Sequence, residues 1–155
     1  MPAAALPPTG DPAGAPGARG CDTGDVVMFH RFIRMLFRDA VPLVGGVDDG
    51  DRRRVRRVAA HVAQIAHALH SHHHGEDVVL WDTLETRAPS CAAHVGLMRA
   101  QHRDIAHRLD GLTDAVGIWR RTARRADADA VLLALTGLNS ALEDHLGREE
   151  ETILP

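Results

Sequence analysis

At 155 residues the chain suits a single domain and can bury a core without disulfide or metal staples. Apolar residues make up 45% but aromatics only 3%, so Leu, Val, Ala and Ile must build that core, a composition that favours helix over sheet. With 18 basic and 21 acidic side chains the formal charge is −3, which argues against a general nucleic-acid or membrane-surface binder.

Residues 1–22 are rich in Pro, Ala and Gly and read as a disordered tail, because they cannot bury enough apolar surface to offset their ordering entropy. Residues 23–155 read as the folded domain. A first helix is predicted from a cap at Asp22-Thr23 to about Val44, with Pro42 and Gly45-Gly46 marking its end. Val26, Ile33, Phe37 and Val41 recur in it at helical spacing, with His30 among them.

A second helix opens after the acidic run Asp48 to Asp51, with Val55, Val58, Val62, Ile65 and Leu69 as its buried stripe. It is expected to pass His72 and Glu76 and to extend beyond Gly75 toward Leu84. The arginines at 52, 53, 54, 56 and 57 could bind an anion, but a solvated helix face is the plainer reading. A third helix begins near Pro89-Ser90, with Val95, Met98, Ile105, Leu109 and Leu112 on one face. A basic stretch from Arg120 to Arg125, much of it compatible with helix, leads to a fourth helix near Asp127 or Asp129. Its stripe is Val131, Leu135, Leu138 and Leu142. Four amphipathic helices with modest loops imply an all-α, antiparallel up-down-up-down four-helix bundle.

Cys21 and Cys91 show no metal-type spacing, and two lone cysteines fit a reducing compartment. No apolar run approaches the roughly 20 residues of a membrane helix, and no signal-peptide pattern opens the chain. These features lead us to expect a cytoplasmic protein.

The unusual quantity is 11 histidines, seven of them between His61 and His94. Two segments repeat one pattern: His72 and His145 are each followed, after three residues, by paired acids, Glu76-Asp77 and Glu149-Glu150. In a helix, positions i and i+4 share a face, so a histidine nitrogen and a carboxylate oxygen so spaced can meet at one metal or bridge two. Helical phase directs them inward. His72 lies seven residues after Ile65, Glu76 seven after Leu69, His145 seven after Leu138 and Glu149 seven after Leu142. His102 lies four after Met98, and His30 lies four after Val26. Burying carboxylates among Leu and Val costs several kcal/mol unless they are paired, so His30, His72, Glu76, His102, His145 and Glu149 together point to a shared cation.

The pieces Phe29-His30-Arg31-Phe32, His72-x3-Glu76-Asp77 ahead of Leu80-Trp81, Gln101-His102, and His145-x3-Glu149-Glu150 ahead of Ile153-Leu154 resemble the hemerythrin-like family of HHE cation-binding domains. The resemblance covers residues 23–155. It implies a four-helix bundle with a carboxylate-bridged di-iron centre for O2, NO or peroxide. His30 and His72 would serve one iron, His102 and His145 the other, and Glu76 and Glu149 would bridge them. The pattern departs from the family's oxygen carriers, which use two histidines four apart on the third helix. Here Met98 and Ala106 flank His102 at that spacing, and Asp82 stands where the family has proline. That departure favours reaction or sensing over carriage.

The remaining histidines read as bystanders. His67, His70 and His74 share a face that could bind a metal adventitiously, but solvated side chains are the plainer reading there and for His73, while His61 is either a core residue or near a channel. His94 is about 12 Å along the axis from His102, and His107 points elsewhere. Asp77 and Glu150 sit either at the bundle surface or behind the ligands, orienting them. A di-iron binder or sensor of O2, NO or peroxide is the leading expectation. An oxidoreductase removing peroxide at the same centre and a metal-responsive interaction module are the alternatives. Imidazole and carboxylate donors suit zinc and manganese as well as iron.

Overall fold

A computed structural model describes residues 24–87 and 89–152. The expected tail, the Asp22-Thr23 cap and Cys21 lie outside the described residues, as do Ile153, Leu154 and Pro155. The described residues are helical throughout apart from short connections: α1 (Gly24–Gly45), α2 (Arg52–Gly75), a π-helical turn (Glu76–Leu80), α3 (Trp81–Arg87), a 3-10 turn (Pro89–Cys91), α4 (Ala92–Thr122) and α5 (Arg125–Thr152).

Each long helix buries a periodic stripe. In α1 it is His30, Ile33, Phe37, Ala40 and Val44, and in α5 it runs from Ala128 through Leu135 and Leu142 to Glu149. Val26 and Val41, expected on the α1 stripe, are only half-buried. α1 packs on α2 and α5, and α4 packs on the same two helices, so the four form a closed ring around one Leu/Val/Ala/Ile core. Each fully buried Leu or Phe contributes about 1.5–3 kcal/mol.

Direction follows from which ends meet. The loop after α1 touches the turn after α4: Gly50 N–H donates to Ala123 O at 2.8 Å, and Arg125 N–H donates to Asp49 Oδ1 at 2.6 Å. The opposite end gathers the start of α1, the end of α2, the first third of α4 and the end of α5, which carry His30, His72, His102 and His145. Neighbouring helices therefore run in opposite directions.

The helix ends are locally explained. Asp51 caps α2 by accepting from Arg54 N–H at 2.9 Å. Gly50 has φ of +78°, a conformation that favours glycine. α1 continues through Pro42, because the proline removes only one hydrogen bond in a last turn that still buries Val44. α4 runs on past Arg120, since Val116 and Trp119 remain on the buried face while the arginines face water. Helix also continues past Gly75, but through a π turn in which Trp81 N–H bonds Glu76 O. The extra residue in this turn brings Trp81, rather than Leu80, onto the side of Glu76. Trp81 then closes the site end of the bundle with Val95 and Met98.

A candidate dinuclear metal centre

All six inward residues converge at one end of the core. His30, His102, His145 and Glu149 are buried, Glu76 is 8% exposed, and His72 is half-buried. They form two pairs of imidazoles. Nε2 of His30 lies 3.1 Å from Nε2 of His72, and Nε2 of His102 lies 3.1 Å from Nε2 of His145. Two imidazole nitrogens that close need either a hydrogen or a common cation between them. The distance is close to the separation of two donors at right angles about 2.1 Å from one ion.

The glutamates connect the pairs. Glu76 offers Oε1 to His72 Nε2 at 3.1 Å and Oε2 to His102 Nε2 at 3.5 Å. Glu149 Oε2 lies 3.7 Å from His30 Nε2 and 3.6 Å from His145 Nε2. Each carboxylate thus faces both imidazole pairs.

The far side of the rings is anchored. His102 Nδ1 donates to Asp77 Oδ1 at 2.9 Å, His30 Nδ1 donates to Glu150 Oε1 at 3.1 Å, and His145 Nδ1 faces Gln101 Oε1 at 3.3 Å. Arg34 holds Glu150 in turn, at 2.7 Å, and lies 3.2 Å from Glu143. A proton fixed on Nδ1 leaves the inward Nε2 with its lone pair free. Asp77 and Glu150, the second acids of each motif, therefore stand behind the rings as orienting partners.

Electrostatics separates the two residue types. Burial lowers the histidines: His72 falls to about 4, with His30 and His102 adding to the effect, and His145 falls to about 3. His30 and His102 are also lowered by burial, against the opposing pull of Glu150 and Asp77. These rings are held neutral, as metal ligands must be. Burial pushes both carboxyls up, Glu76 further because Glu149 lies close, and Glu149 with help from the charge of Glu150. Both oxygens of Glu149 and Oε2 of Glu76 are buried without a hydrogen-bond partner. The imidazoles resist becoming the cation these oxygens lack, so the donor set fits a bound metal ion.

One residue read from sequence as solvated is not. His73 is 5% exposed, stacks on His102 with ring centroids 4.2 Å apart, and meets His145 edge-on at 4.8 Å. The correction has a simple cause. α2 touches both α1 and α4, so its buried arc is wider than one stripe and includes the column Ala59, Ala66, His73. Two small apolar residues seven and fourteen positions earlier were the available signal. His67, His70, His74, His94 and His107 are exposed, with the His70 and His74 rings stacked 6.4 Å apart, and His61 is half-buried. Within reach of one another are the donor nitrogens or oxygens of His30, His72 and Glu76, and separately those of His73, His102 and His145, each set within 4.8 Å.

No described helix is long and apolar enough to cross a membrane. Comparison with characterised proteins and with solved structures gives no match. The family model of the hemerythrin HHE cation-binding domain matches residues 23–155. That span takes in every helix and every residue of the constellation, and the chain belongs to the hemerythrin HHE cation-binding domain family.

Proposed function

We propose that the chain holds two iron ions between its four long helices and uses them to bind or sense O2, NO or peroxide. The observation that carries this reading is the placement of Glu76, with one carboxylate oxygen toward His72 and the other toward His102. A single-metal site would not need a carboxylate spanning two imidazole pairs. In this reading His30 and His72 hold the first ion, His102 and His145 hold the second, and Glu76 and Glu149 bridge. Asp77 and Glu150 keep the His102 and His30 rings in the donor tautomer. Trp81, Val95 and Met98 shield the centre from bulk water on the α3 side.

Mixed imidazole and carboxylate donors accept iron, manganese and zinc; of these zinc alone is redox-inert, and the reading proposed takes iron as the ion that answers to small oxidants. Bound iron would supply the electrons that small oxidants accept. The test is anaerobic loading with ferrous iron, followed by metal analysis and an absorption spectrum after exposure to O2, NO or peroxide. About two irons per chain with an oxidant-dependent spectral change are expected. A protein that takes up no iron, or an iron form inert to all three, would overturn the proposal. Sustained peroxide consumption would move the reading from sensor to oxidoreductase.

A further inference from the structure

We infer that His73 is a seventh ligand, the third imidazole of the second metal position, so that the centre is asymmetric. The inference rests on the dinuclear reading above and extends it. His73 Nε2 is buried and has no hydrogen-bond partner, although its ring is packed against those of His102 and His145. Its donor nitrogen lies with those of His102 and His145 in a cluster within 4.8 Å. A stacked imidazole serving only as filler would leave that nitrogen desolvated and unsatisfied, and a leucine would fill the space without that cost.

The neighbouring helix explains why α2 supplies this donor. On α4 the positions one turn either side of His102 are Met98, buried against Trp81 and Val95, and Ala106, which has no donor. Ala106 and His73 line one small cavity of about 80 Å³ between α2 and α4, to which the exposed His70 and His74 also contribute. A larger residue at 106 would compete with the His73 ring for this space. The second position then has His73, His102 and His145, whereas the first has only His30 and His72. The first position is then left with fewer protein donors than the second.

Iron binding by the full-length chain and by His73→Leu and His73→Gln variants tests the inference, with His74→Leu as the exposed neighbour control. Wild type and His74→Leu are expected to bind two irons. Both His73 variants are expected to hold the second iron about tenfold or more weakly. Cobalt(II) loading gives an independent readout, since loss of one imidazole shifts the visible ligand-field bands of one of the two ions. Two irons bound to both His73 variants with wild-type affinity, and unchanged cobalt bands, would overturn the role of His73. Failure of wild type to take two ions would instead overturn the dinuclear reading itself.

Discussion

Asp77 accepts a hydrogen bond from Nδ1 of His102 at 2.9 Å, one residue after the glutamate that faces the same ring from its Nε2 side. Consecutive acids therefore grip one imidazole from both ends. Removing the outer grip leaves the ligand in place but frees its tautomer and orientation. Asp77→Asn is expected to weaken metal binding by about 10–100-fold with little change in fold. Glu150→Gln is expected to do the same at His30, since that carboxylate holds His30 Nδ1 at 3.1 Å. Chelator competition on the purified variants measures both effects.

The two inward carboxyl groups, Glu76 and Glu149, are a stability burden when no metal is bound. Glu76 and Glu149 rise from 4.5 to about 9 and about 7, so unfolding releases their protons, and their contribution is lost as pH climbs above 4.5. The histidines act with the opposite sign: lowered from 6.5, they take up protons on unfolding and cost stability as pH falls below that value. Glu76→Gln and Glu149→Gln are therefore expected to stabilise the metal-free protein, by about 1–3 kcal/mol near neutral pH. The gain over wild type should be larger at about pH 8 than at about pH 5, because only the carboxyl contribution has been removed. Urea denaturation at the two pH values checks the sign.

Metal binding by the folded state alone must raise stability. At a free iron concentration about a hundredfold above the dissociation constant the gain is about 2.7 kcal/mol. For a domain of this size that corresponds to a rise of roughly 5–15 °C in Tm. Anaerobic thermal scans with and without ferrous iron should show it in wild type, and should show none in Glu149→Leu, where the carboxylate facing both imidazole pairs is gone.

Fold and site are separable. Leu135 is fully buried on α5, ten residues before His145 and so about 15 Å along the helix from it. Leu135→Ala is expected to cost about 2–5 kcal/mol while leaving iron stoichiometry at saturation unchanged. Denaturation and metal analysis on the same preparation make the comparison.

The inward placement of the six motif residues was legible because each continues a strong apolar stripe. Seven-residue steps from Leu69, Leu138 and Leu142 reach Glu76, His145 and Glu149, and tertiary packing only had to preserve that phase. His73 was not legible by the same arithmetic, since it lies on the α4-facing flank of α2, where the guiding column is the weakly apolar Ala59 and Ala66. The π turn after Gly75 depends on an inserted backbone residue that no side-chain pattern announces, and it decides that Trp81 rather than Leu80 closes the end of the bundle. The role of Asp77 stood open between surface and orienting partner until the crossing of α2 and α4 set its distance to His102.

Glu76 and Glu149 are proposed to bridge two irons. X-ray absorption on the anaerobically loaded and then oxidised protein, quantified for iron, tests it most directly. About two irons per chain, with an iron–iron scattering path of about 3–4 Å, are expected. One iron per chain, or two irons with no metal–metal path, would contradict it.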